Sequence, residues 1–334
     1  MRLSSSLKLS LLVILIAVSV VTAQKPPQRP KVHSDFAFAT SPVSREAMNL
    51  MSKEKNRFVV VAFHEGWDFD KIAKELKISD DEVDKLFSDL DTEHLVEENQ
   101  DSEARPNFPV YRDKDLERVR PSLQKNSSEF AGIVKANWTS IDSFAASLNG
   151  AKEVPKEQLL YQIVVGGILL GAMNDVFYED KTLIPTGPRR GRSQRYYAWM
   201  TEGDPINAGK IIREDGQSDN YSLVSLASKL TSNRPTLADI RAKHGMILDE
   251  AESRRFRSFV TIFCKDKLMP YFKSNRDQMF RLAAQVSSSR YTAFGEFLAW
   301  YYNQMVNNTV DEIVAAKRMQ PPTDMFAYAI RSAQ

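Results

Sequence analysis

The sequence predicts a mainly α-helical fold, with a small N-terminal helical domain and a larger C-terminal helical domain that carries a short β-hairpin. Apolar residues recur at i, i+3, i+4 and i+7 in several separate segments, which is the spacing of amphipathic helices. The 334 residues are 43% hydrophobic and 26% charged, an ordinary composition for a folded chain. The single cysteine, Cys264, excludes an internal disulfide and a cysteine-rich zinc site.

The first 23 residues have the pattern of a secretory signal peptide. Arg2 and Lys8 precede an uncharged run at 9–21, and the small residues Thr22 and Ala23 suit cleavage by a signal peptidase. The run is too short to cross a hydrocarbon core of ~30 Å, so we predict cleavage and no stable membrane span afterwards. Prolines in residues 24–43 then favour an extended leader. We therefore expect a secreted or periplasmic protein.

The predicted N-terminal domain, residues 44–104, contains three short helices with a common core. Asp68 is a good N-cap for the second helix, and Ser79 with Glu82 forms a capping box at the start of the third. The apolar positions of these two helices follow one repeat: Phe69, Ile72, Ala73, Leu76, Val83, Leu86, Phe87 and Leu90. Residues 95–98 indicate a strand after the third helix.

Residues 70–79 and 83–90, with the strand that follows, resemble the winged helix-turn-helix module of prokaryotic regulators over about residues 54–98. The resemblance implies a third helix that contacts DNA, which needs basic or amide side chains. Here that helix instead carries Asp80, Asp84 and Asp89, and residues 68–103 hold 14 acids against 4 bases. Repulsion from phosphate therefore argues against DNA binding through this helix.

Two interpretations of these carboxylates stay open. They either solvate a small domain, or they form a face that binds a basic protein surface. One basic region lies in the same chain, because residues 181–318 carry 22 bases and 14 acids. Whether the acidic and basic regions contact each other is left open by the sequence.

Residues 105–154 are predicted as a connecting helical region, and residues 155–334 as the C-terminal helical domain. The most apolar internal stretch, 159–173, is too short for a membrane span and predicts a buried helix. Gly167 and Gly171 within it permit close packing of another chain segment. Helical spacing continues beyond Pro235, and Thr309 with Glu312 predicts a capped helix before Pro321.

A basic loop at 185–195 is the predicted ligand-facing feature of the C-terminal domain. It combines turn-forming residues with Arg189, Arg190, Arg192 and Arg195. Guanidinium groups suit phosphate or carboxylate groups, so an anionic ligand is one interpretation and a merely exposed loop is the other. Aromatic and β-branched residues after the loop predict a β-hairpin near 196–213.

The sequence contains no recognisable catalytic motif. His64 and Glu65 begin like a zinc-protease helix but lack the second histidine four residues later. Cys264 follows an apolar stripe and is expected to be a buried core residue. No metal or cofactor is predicted. We predict an exported, non-catalytic binding or assembly protein of the cell envelope or medium, and the alternatives are a hydrolase of an anionic or polymeric substrate and a DNA-binding regulator.

Overall fold

The chain from Asp35 onward is known from a computed structural model. It describes residues 35–99, 103–180, 187–191, 194–203, 211–218, 220–227, 235–243, 245–286, 294–321 and 325–332. The predicted signal peptide and the proline-containing start of the predicted leader lie outside these residues.

The N-terminal part of the described chain is built from short helices between short strands. In chain order these elements are β1 (Phe36–Ser41), α1 (Arg45–Ser52), α2 (Glu54–His64), α3 (Phe69–Leu76), α4 (Asp80–Thr92), β2 (Val96–Glu98) and β3 (Ala104–Pro106). The expectation that folded structure begins near Ser44 is wrong, because the apolar residues of β1 already form a sheet strand.

The predicted caps of α3 and α4 are confirmed. The Asp68 carboxylate accepts a hydrogen bond from the Lys71 backbone N–H at 2.8 Å, and Ser79 and Glu82 form the capping box of α4. Between the helices, Lys77 adopts a left-handed conformation with φ of 55°. This short turn lets the two helices pack together.

The remainder of the chain is mainly helical, as predicted. Its elements are β4 (Val110–Tyr111), α5 (Asp113–Ala136), α6 (Trp138–Ala146), α7 (Lys156–Tyr161), a first π segment (Gln162–Ala172), α8 (Met173–Glu179), β5 (Arg189–Arg190), β6 (Gln194–Arg195), β7 (Tyr197–Glu202), β8 (Ile212–Ser218), β9 (Tyr221–Ala227), α9 (Leu237–Ala242), β10 (Ile247–Leu248), α10 (Glu250–Phe263), a second π segment (Cys264–Leu268), α11 (Met269–Ala283), α12 (Phe294–Ala315) and β11 (Met325–Arg331).

The β-hairpin predicted near 196–213 is not formed. Strands do occur there, but β7 pairs antiparallel with β1 and parallel with β4, whereas β8 belongs to a second sheet of order β10-β11-β9-β8. Residues 197–201 of β7 are all buried. A strand buried on both faces needs a neighbour along each edge, and these neighbours come from distant parts of the sequence.

The C-terminal prediction needs two corrections. Strands β10 and β11 interrupt the helical region expected after Pro235, because β11 pairs with β9 of the second sheet. Thr309 does not start a helix, since α12 continues through it from Phe294. Thr309 is fully buried, and its hydroxyl donates to the Ser127 carbonyl of α5 at 3.3 Å, so tertiary packing has replaced the cap.

The predicted buried helix is confirmed and lies at the centre of the core. We call residues 156–179, from α7 through the first π segment to α8, the central helix. In the described part of the chain, Lys156–Phe177 is the one helix apolar and long enough to cross a membrane by composition, but 83% of its apolar window is buried inside the protein. Gly171 admits the Arg213 guanidinium, since a Cβ there would lie 1.9 Å from Arg213 Nη1.

Candidate functional site

The carboxylates predicted on the third helix lie along the exposed half of α4. We define this acidic face as Asp80, Asp81, Asp84, Asp89 and Asp91, all of which are exposed. On the opposite side, Val83 and Leu90 are fully buried. Within the part of the chain that the structure describes, none of the five carboxylates forms an ion pair. The acidic face is therefore held on a packed helix and is exposed to solvent.

The arginine-rich loop is a two-stranded hairpin, β5–β6, that packs against the C-terminal end of α4. The Gly191 N–H donates to the Glu93 carbonyl at 3.2 Å. The Arg190 guanidinium donates to the His94 carbonyl at 2.7 Å and to the Asn107 carbonyl at 2.5 Å. The acidic and basic regions of the chain therefore touch here, and backbone hydrogen bonds carry part of the contact.

The prediction that this loop is an exposed arginine clamp is wrong for Arg190. Its side chain is 0% exposed and forms an ion pair with Glu296 of α12 at 2.7 Å. Burial raises the pKa of Glu296, and the guanidinium opposes that rise. Arg189 and Arg195 are exposed and pair across the hairpin, while Arg192 lies outside the described residues. Arg190 is thus an internal anchor, since a buried guanidinium needs a nearby carboxylate.

A second charged cluster, which the sequence analysis missed, joins α2, α5 and β7. The buried Arg112 forms an ion pair with Glu65 and another with Glu202 at 3.4 Å. The pKa of the adjacent His64 is lowered, first by burial and then by the positive charge of Arg112. The pKa of Asp113 is raised, first by burial and then by Glu202. No local pattern could reveal this cluster, because its members are far apart in sequence.

Cys264 is a core residue, as predicted. It is 0% exposed, and its Sγ donates to the Ile168 carbonyl of the first π segment at 3.5 Å. Burial raises the pKa of the thiol, which keeps it protonated at neutral pH. Among the described residues, no group of three histidine, cysteine, aspartate or glutamate side chains could hold a metal ion.

A small cavity lies where the end of the central helix meets α12 and the first sheet. It has a volume of about 30 Å³ and is partly open to solvent. Its lining residues come from four elements: Ser41, Leu170, Asn174, Phe177, Tyr197, Ala299, Tyr302 and Asn303. The sequence alone does not reveal this cavity, because the four elements that line it are far apart along the chain.

The cavity adjoins a stretch of helix with unusual hydrogen bonding. In the first π segment, the Tyr302 hydroxyl donates to the Leu169 carbonyl at 2.5 Å and the Asn174 side chain donates to the Leu170 carbonyl at 2.9 Å. Arg213 donates to the Gly166 carbonyl at 2.8 Å. With Cys264 of the second π segment, which donates to the Ile168 carbonyl, side chains from three other elements and from α8 thus satisfy backbone groups of the segment. Such departures from α-helical bonding are common at functional sites.

Comparison with known proteins adds no relative. No protein-family model, curated protein or solved structure matches this chain.

Proposed function

We propose that the protein is an exported, non-catalytic binding protein of the cell envelope or medium, and that its acidic face binds a basic protein surface. The observation that carries this proposal is the exposure of five carboxylates along the exposed half of one helix, without ion-pair partners in the described chain. The signal-like N-terminus supports the export part. Lys85 is the one base of α4, so five exposed carboxylates face one exposed ammonium group. Binding to a basic partner would supply the remaining positive charge.

The elements around the acidic face suit a winged-helix-like module used for protein binding. Helices α2, α3 and α4 are followed by the antiparallel strands β2 and β3. The rings of Phe63, Phe69 and Phe87 lie within 6 Å of one another and join the three helices. Arg190 and Arg112 tie this module to the rest of the protein. The acidic face is therefore presented in a defined orientation.

A basic protein fits the acidic face better than a nucleic acid does. Lysine and arginine side chains would be attracted, whereas each DNA phosphate would be repelled. Because the carboxylates are exposed, salt screens the attraction over about 8–10 Å. The alternative of a hydrolase that holds an anionic substrate with four arginines loses support, because the buried Arg190 already forms an ion pair with Glu296.

The test reverses charge on the acidic face. The triple variant Asp80→Lys, Asp84→Lys and Asp89→Lys should lose most of the captured partner in a quantitative pull-down from an envelope extract. Capture by the unaltered protein should also fall as salt is raised from about 0.05 to 0.5 M.

The matched control makes the same change in net charge elsewhere on the surface. It replaces three exposed acids outside the acidic face with lysine: Glu117, Asp266 and Asp277. This control should keep its partner. Equal capture by the two triple variants, or capture that does not depend on salt, would contradict binding through the acidic face.

A further inference from the structure

The cavity beside the first π segment has an apolar floor and a polar rim. Its floor residues are at most 9% exposed: Leu170, Phe177, Tyr197, Ala299 and Tyr302. Its other three lining residues, Ser41, Asn174 and Asn303, are half-buried. A ligand group that fits must therefore be apolar at its tip and able to form hydrogen bonds behind it.

The lining carries no carboxylate, ammonium, guanidinium or imidazole group. A charged group placed in this cavity would lose hydration, and the lining offers no opposite charge to offset that loss. Each carboxamide of Asn174 and Asn303 contains both a donor and an acceptor, which matches a ligand that also offers both. The chemistry of the lining thus selects an uncharged group.

Asn303 supplies a second indication of a missing partner. Its Oδ1 atom is buried and has no hydrogen-bond partner in the described part of the chain. A buried acceptor without a partner is unfavourable, and native structures usually supply one from protein, water or ligand. Because Asn303 lines the cavity, a group bound there can supply this partner.

Size restricts the group further. The volume of about 30 Å³ is enough for about two water molecules, because one needs about 10–15 Å³ of a cavity. Only a small group, such as a methyl, therefore fits inside. Because the cavity is partly open to solvent, the remainder of a larger molecule can stay outside it.

We propose that this cavity binds the acetamido group of an uncharged small molecule, such as an N-acetylated sugar. The methyl would contact the floor at Leu170 and Ala299, and the amide N–H and C=O would pair with the rim carboxamides. The site is separate from the acidic face, so this inference goes beyond the proposed protein-binding function.

The experiment uses the full chain with N-acetylglucosamine as the probe, and glucosamine and glucose as comparison sugars. Saturation-transfer NMR should show the strongest transfer to the acetyl methyl protons, and titration calorimetry should give weak but saturable binding. Glucosamine, which carries an ammonium group instead of the acetamido group, should bind at least tenfold more weakly. Equal binding of the three sugars, or no binding of N-acetylglucosamine, would overturn the proposal.

Two variants locate the binding. Ala299→Leu fills the floor, and Asn303→Ala removes a rim carboxamide without adding volume, so the second variant tests the site even if the first does not fold. Each should weaken N-acetylglucosamine binding at least tenfold. Asn308→Ala, at a half-buried position of the same helix outside the lining, should bind as the unaltered protein does. Undiminished binding by Asn303→Ala would place the sugar elsewhere and overturn the proposal.

Discussion

Replacing Arg190 with alanine should destabilise the protein strongly, although sequence alone places this residue in an exposed loop. The change leaves the buried Glu296 carboxylate without its counter-charge and the Asn107 carbonyl without its donor, and it leaves the His94 carbonyl with the Asn107 side chain, at 3.3 Å, as its donor. Breaking a buried ion pair from one side costs about 3–5 kcal/mol. Each lost hydrogen bond to a charged donor is worth about 1.5–3 kcal/mol, partly counted already in the first figure. We therefore expect a loss of about 4 kcal/mol.

Urea denaturation followed by circular dichroism measures this loss. Arg189→Ala is the matched control, since Arg189 is the exposed neighbour on the same strand, and it should change the free energy of unfolding by about 0.5 kcal/mol or less. The double variant Arg190→Met with Glu296→Leu should recover about half of the loss, because it removes the unpaired carboxylate. The reasoning is refuted if Arg190→Ala and Arg189→Ala differ by less than about 1 kcal/mol.

The cost of Arg190→Ala should also depend on pH. Burial raises the pKa of Glu296, and removal of the opposing guanidinium raises it further. A group with a raised pKa in the folded state adds stability at low pH and loses it as pH rises through that pKa. The difference in unfolding free energy between the unaltered protein and Arg190→Ala should therefore be larger at about pH 8 than at about pH 5. A pH-independent difference would mean that Glu296 is not the source of the loss.

Three further outcomes are expected. Gly171→Ala should lower the unfolding free energy by about 1–3 kcal/mol, because its Cβ would collide with Arg213. The control Gly132→Ala, where nothing lies within 4 Å of the added Cβ, should raise the unfolding free energy by about 0.5–1 kcal/mol. Equal effects of the two variants in denaturation would show that Gly171 does not contact Arg213. Ser79→Ala should remove the capping box of α4 and cost about 1 kcal/mol in the same assay, whereas no loss would show that the cap is dispensable. The Cys264 thiol should react with Ellman's reagent only after denaturation, because it is buried and its pKa is raised; rapid reaction of the folded protein would contradict the burial.

The helical predictions that hold are those that depend on near neighbours along the chain. Asp68 and Ser79 cap their helices as expected, because capping is an interaction between residues three positions apart. The burial of the central helix and of Cys264 also follows from local apolar composition. Exposure of the acidic face follows from helical periodicity, which places Val83 and Leu90 on the other side.

The predictions that fail depend on contacts between distant residues. The partners of β7 lie in β1 and β4, and a local strand pattern carries no information about pairing over such separations. Thr309 and Glu312 have the spacing of a cap, yet packing against α5 makes Thr309 an interior position of α12. The cavity and the Arg112 cluster are likewise assembled from separate elements.

Short stretches of the sequence thus determine where helices start, which helix is apolar enough for the core, and the charge of the α4 face. In each case the residues that interact are one to four positions apart. Strand partners, the burial of Arg190 and the shape of the cavity arise when separate elements meet. An arginine in a turn-rich segment can be exposed to solvent or paired with a carboxylate. Arg190 is buried because folding brings Glu296 within ion-pair distance. Electrostatic and packing energies depend on distance in space and not on separation along the chain. Only the tertiary contacts therefore decide the strand partners, the burial of Arg190 and the shape of the cavity.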